Sequence, residues 1–131
     1  MKEDFVTYDL AVKLKEKGFR EKCKTHCYPN SQDWFISSMP ECDNFSNYLD
    51  IPTIYQVLKW LREKKNLSVE PYSCACGWRV TICKTGNVLE GYVSGGTCVK
   101  DEVKGDNEGE AFDWFEQAAI AGIEYVIDNL I

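Results

Sequence analysis

Cys23-Lys24-Thr25-His26-Cys27 gathers two thiols and the chain's single imidazole within five residues, and Cys74-Ala75-Cys76 adds two more thiols further on. Thiolate sulfur and imidazole nitrogen are the ligands zinc prefers, arranged as a tetrahedron of four. Three residues separate Cys23 from Cys27, a spacing a zinc knuckle accepts, and His26 can replace either thiol. Cys74 and Cys76, with one residue between them, share a strand face but close a tetrahedron poorly by themselves. Cys23, His26, Cys27, Cys74 and Cys76 are therefore the candidate zinc ligands, as four thiolates or as three thiolates with the imidazole. The competing reading makes Cys23, Cys27 and Cys83 small buried hydrophobes, the usual behaviour of free cysteine. A strand through residues 23–28 favours that reading, because thiols four strand positions apart cannot reach one ion without a bulge.

A nucleophilic thiol is the enzymatic alternative, and it requires an activating base or an electropositive pocket. His26 is the only histidine. In a strand its neighbour Cys27 points to the opposite face, and Cys23 meets it only in a turn or helix. No serine elbow, glycine-rich phosphate loop or metalloprotease motif is present. The expectation is a protein that is not an enzyme, with no catalytic residues and no bound cofactor apart from the candidate zinc.

Composition narrows the partner classes. The chain carries 21 acidic and 15 basic residues, a net charge of −6, which argues against nucleic acid, whose phosphates are bound by neutralising them. The densest basic run, Arg62-Glu63-Lys64-Lys65, falls where it complements a helix C-terminus. MKEDFVTYDL places charges where a signal peptide needs an apolar core, and no later run reaches the roughly 18 apolar residues of a membrane span. An odd count of seven cysteines does not suit a secreted disulfide framework. A cytoplasmic protein with reduced thiols is expected.

Two further sets point to binding. Trp60 and Trp114 lie at the margins of their helices' apolar stripes, where aromatics anchor protein interfaces. Asp113, Glu116, Glu124 and Asp128 fall broadly on one side of the last helix, which is either a solvated face or an acidic surface for a basic partner. Trp60, Trp114, Glu116 and Glu124 are the candidate partner-binding residues.

The elements that must position these groups read as follows. Thr7 caps a first helix ending at Lys17, with Val6, Leu10, Ala11 and Leu14 as its stripe. Gly18 and Phe19 complete a Schellman ending in which Phe19 meets Leu14. Residues 23–28 and 34–37 pair as a hairpin, and Met39 to Asp50 is loop. Thr53-x-x-Gln56 is a capping box for a second helix with Ile54, Val57, Leu58 and Leu61 on one face, and Asn66 can take its left-handed exit. Strands follow at Leu67–Tyr72, Trp78–Cys83 and Val88–Val93 as an antiparallel meander, with Trp78, Val80 and Ile82 opposite Arg79, Thr81 and Cys83. Thr97 to Asp106 is polar and reads as flexible. Asn107-x-x-Glu110 resembles a cap for a final helix running to the end of the chain. The order α-ββ-α-βββ-α predicts a single α+β domain over residues 1–131, with helices on one face of a largely antiparallel sheet.

FVTYDLAVKLKEKGF and PTIYQVLKWLREKKNLSV resemble segments of short uncharacterised proteins encoded by phages and prophages of gut anaerobes, which share an "FVTY…LKE.GF" opening and a "PT..QV..W.REK.N" helix. The alanine-rich AFDWFEQAAIAGIEYVIDNL is similar in position and character. The resemblance implies a phage or mobile-element origin and a small α+β domain. It implies no chemistry, and Cys74, Cys76, Cys83 and Cys98 depart from the pattern. The function expected is that of a phage-type accessory protein acting by binding, to a protein partner or to another copy of itself. One alternative is a cysteine-rich zinc domain. A second is an inhibitor of a host defence or nucleic-acid-binding protein, acting through the acidic surface.

Overall fold

Thr7 starts the first helix by accepting a hydrogen bond from Leu10 N–H on its Oγ1 at 3.2 Å. The helix, α1 (Tyr8–Glu16), ends as its sequence predicts. Gly18 is left-handed at φ 96°, Phe19 N–H donates to Leu14 O at 3.0 Å and Gly18 N–H to Lys15 O at 3.2 Å, the two bonds of a Schellman motif. Val6, Leu10, Ala11 and Leu14 are all buried.

The computed structural model describes residues 5–21, 23, 25–27, 34–36, 49–84, 87–89, 92–94 and 97–131. After α1 come β1 (Thr25–Cys27), β2 (Trp34–Ile36), β3 (Leu49–Asp50), α2 (Ile54–Lys64), β4 (Leu67–Cys74) and β5 (Gly77–Lys84). Then follow β6 (Asn87–Leu89), β7 (Tyr92–Ser94), β8 (Thr97–Val103) and α3 (Phe115–Asn129). Among the described residues every strand pairing is antiparallel, and the fold is α+β. Contacts group the chain into two units, residues 1–57 and 58–131, with the division inside α2.

In the first unit, β1 and β2 form the expected hairpin, with Thr25 opposite Ile36 and Cys27 opposite Trp34. Part of the segment read as loop is a strand: Leu49 and Asp50 pair with Cys27 and His26. The remainder of the 39–50 reading, and Cys42 with it, lies outside the described residues. Val6 N–H donates to Pro52 O at 3.2 Å, and Phe5 bridges to Thr53.

The capping box on α2 is complete: Gln56 N–H donates to Thr53 Oγ1 at 3.1 Å, and Thr53 N–H to Gln56 Oε1 at 2.9 Å. Ile54, Val57, Leu58 and Leu61 are buried, and Asn66 leaves the helix at φ 55°.

The second unit corrects the expected meander. β4 and β5 pair from Leu67↔Lys84 to Cys74↔Gly77, but the third strand of their sheet is β8, in the order β4-β5-β8. Val88–Val93 is two strands rather than one, because Leu89 pairs with Tyr92 across a two-residue gap containing Gly91, a hairpin spacing. The β8 strand was hidden by its own irregularity. Between Cys83 and Ile82 it advances from Cys98 to Lys100, and between Ile82 and Val80 it advances from Lys100 to Val103. Each step carries one extra residue, so two bulges erase the period of two that reveals a strand. As a sheet edge, β8 also tolerates the polar composition that suggested flexibility.

Helix α3 packs on β4, β5 and β8. Gly122 supplies the close approach: a methyl there would lie 2.6 Å from Val69 Cγ1 and 2.9 Å from Val80 Cγ2. Val69, Val80, Ile82, Ala118, Ala119, Ile123, Val126 and Ile127 are buried, and Phe115 meets Trp78 edge-on at 5.3 Å. The helix begins at Phe115, not near Glu110. Gln117 Oε1 accepts from Trp114 N–H at 3.2 Å, and Phe112, expected inside the helix, instead exchanges two 2.7 Å backbone hydrogen bonds with Trp78.

Candidate functional site

The sheet of the second unit has one face under α3 and another turned away from it. Along β4, buried Leu67 and Val69 alternate with Ser68 and Glu70, which puts Ser68, Glu70, Tyr72 and Cys74 on the far face. On β5 the same face carries Arg79, Thr81 and Cys83, opposite buried Val80 and Ile82. On β8, Cys98 and Glu102 lie on that face, and the bulges turn Lys100, between them, to the α3 side, where its Nζ lies 5.6 Å from the Tyr125 ring centroid.

Arg79 is the centre of this face. Its guanidinium donates to Glu102 Oε1 at 3.2 Å and to Gly109 O at 2.7 Å. The buried Nε has no partner among the described residues. Tyr72 OH donates to the same Glu102 oxygen at 3.4 Å. Burial pushes the Tyr72 phenol above its ordinary range, and the Glu102 carboxylate pushes it further, because both disfavour the phenolate.

At the lower end of this face, the β4–β5 turn meets the segment before α3. Asn107 Oδ1 accepts from Gly109 N–H at 3.0 Å and Ala111 N–H at 2.8 Å, while its Nδ2 donates to Cys76 O at 2.9 Å and Asp113 Oδ1 at 3.2 Å. The cap read at Asn107 is thus real hydrogen-bonding chemistry applied to a turn. Glu110 takes φ 56° and its N–H closes back on Asn107 O at 2.9 Å, which ends any helical course there. Gly77, at φ 131°, lets the turn pass under this loop; a Cβ would sit 2.4 Å from Phe112 O.

The candidate metal ligands fall in both units. Cys23 is buried and its thiol donates to Glu21 O at 3.4 Å. His26 and Cys27 lie in β1, in register with Asp50 and Leu49. Cys74, half-buried, ends β4, and Cys76 is exposed in the turn that follows. Among the described residues no three His, Cys, Asp or Glu side chains cluster as a metal site.

The partner-binding set divides. Trp114 is 66% exposed at the start of α3, Glu124 is exposed and Glu116 half-buried. Trp60, by contrast, is 5% exposed and is not a surface anchor. Its position, three after Val57, extends the buried face of α2 beyond the stripe counted from Ile54, and Lys65 Nζ lies 5.4 Å from its ring centroid. Sequence reasoning gave Asn107 only as a helix cap and Arg79 only as a member of a strand face, and it passed over Glu102. Alternation already placed Arg79 with Thr81 and Cys83, but their partners lie on a strand and a loop whose periodicity is broken.

No protein-family model, curated protein or solved structure matches this chain. Among the described residues no helix is long and apolar enough to cross a membrane.

Proposed function

We propose that this protein acts by binding another protein, one with a basic surface, through Trp114 and the outer face of α3, and not by catalysis. The observation that carries this is the 66% exposure of Trp114, a large apolar ring held in water next to exposed Asp113 in the chain, with Glu124 and Asp128 exposed further along α3. Aromatic side chains in such settings anchor interfaces, and surrounding charge steers the encounter and selects the partner. A like-charged copy of the same face is a poor match, so the net charge of −6 favours a different protein over self-association. The resemblance to phage-encoded proteins supports an accessory role in the cytoplasm of an infected cell, directed at a host protein.

Affinity capture from a lysate of a gut anaerobe, with wild type beside Trp114→Ala and beside Asp113→Asn/Glu124→Gln/Asp128→Asn, tests this reading. A basic protein retained by wild type and lost with either variant is expected. Equal retention by all three, or Trp114-dependent dimers in light scattering, would overturn it.

A further inference from the structure

Cys83 on β5 and Cys98 on β8 are register partners, and both are free thiols. Antiparallel partners stand about 4.5–5.5 Å apart at Cα, inside the span a disulfide bridges. The pairing is not an accident of alternation. Cys98 and Lys100 have the same parity, yet Lys100 reaches Tyr125 of α3, while Cys98 shares the far face with Cys83. The extra residue between them, Val99, 39% exposed, produces this switch, as bulges do when they redirect a side chain. Cys98 and the Glu70 carboxylate both lie near enough to the Cys83 thiol to disfavour its thiolate. Cys98 is exposed and Cys83 half-buried, so an external reagent reaches Cys98 first.

We propose that Cys83 and Cys98 are a reversible thiol–disulfide site that reacts with small-molecule disulfides of the glutathione type. The Cys98 thiolate attacks one sulfur of the external disulfide, forming a mixed disulfide and releasing one small thiolate, which takes up a proton. Cys83 then loses its proton to solvent and its sulfur attacks Cys98 Sγ. The S–S bond between the strands forms, and the second small thiol leaves with a proton. Two protein thiols are oxidised and one small disulfide is reduced to two thiols, so electrons and protons balance. In a reducing compartment the dithiol is the resting form, and the bond appears under oxidative load. Once made, it fastens the edge strand β8 to β5 in the centre of the sheet. This site is independent of the Trp114 surface.

The test is native, reduced, full-length protein in buffers of graded glutathione to glutathione-disulfide ratio, quenched with acid, alkylated, digested and mapped by mass spectrometry. The expected product is a Cys83–Cys98 cross-link that forms ahead of any other and reverts with excess thiol. Cys83→Ser should accumulate a single glutathione adduct at Cys98, because no second thiol resolves it. Cys98→Ser should form no interstrand link. A wild type that stays reduced, keeps the adduct on Cys98, or links other cysteines at comparable rates would overturn the proposal.

Discussion

The side-chain amide of Asn107 donates from Nδ2 to the backbone carbonyl of Cys76 at 2.9 Å, thirty-one positions earlier in the chain. That contact ties the β4–β5 turn to the loop leading into α3, and Asn107 secures the loop as well by accepting from Gly109 and Ala111. One residue therefore fixes where α3 begins, and with it where Trp114 emerges.

Asn107→Ala removes four side-chain hydrogen bonds in a partly exposed setting, at about 0.5–1 kcal/mol each. A loss of about 2–4 kcal/mol in unfolding free energy is expected, read from urea denaturation midpoints. Asn107→Asp keeps the acceptor for Gly109 and Ala111 but loses the donor and faces Asp113. Its midpoint should fall between wild type and alanine.

Gly122→Ala separates two effects of opposite sign. Alanine favours a helix over glycine by about 1 kcal/mol, but its methyl would lie 2.6 Å from Val69 Cγ1 and 2.9 Å from Val80 Cγ2. Both neighbours are stiff β-branched side chains, and overpacking costs about 1–3 kcal/mol. The clash wins, with net destabilisation of about 1 kcal/mol expected. A stabilised variant would mean that α3 stands further from the sheet than described.

Stability should decline on the alkaline side. Burial pushes the Cys83 thiol up, reinforced by the Glu70 carboxylate and Cys98, and the Tyr72 phenol is raised in the same sense. A group with a folded-state pKa above its unfolded value stabilises fully below the unfolded value, and that stabilisation is lost as pH rises toward the folded one. Denaturation midpoints under reducing conditions should therefore drop from the ordinary thiol range upward. Cys83→Ser should flatten the first part of that decline and Tyr72→Phe the later part. Parallel curves for all three proteins would contradict the assignment.

How much of this was readable in the sequence depended on whether a signal was local. Thr7, Gly18 and Phe19 define both ends of α1 through neighbours within five residues, and Thr53 with Gln56 does the same for α2. Clean alternation in Trp78–Cys83 gave the two faces of β5, including the side on which Arg79 and Cys83 stand. The partners of those residues were not readable. Two bulges turn Lys100 to the α3 side between Cys98 and Glu102 and so break the alternation along β8, and Asn107 makes its defining bond to a carbonyl in a distant turn. Trp60 shows a different limit: its margin position on α2 was visible, but which margin is covered is decided by tertiary packing.

The most direct test of the binding account is a titration of the captured partner, purified, against wild type and Trp114→Ala at two salt concentrations. Loss of an anchoring tryptophan should weaken binding at least about tenfold, or roughly 1.4 kcal/mol and more, and added salt should weaken the wild-type complex by slowing association. An unchanged Kd for Trp114→Ala, with no response to salt, would contradict the claim that this end of α3 is the docking surface.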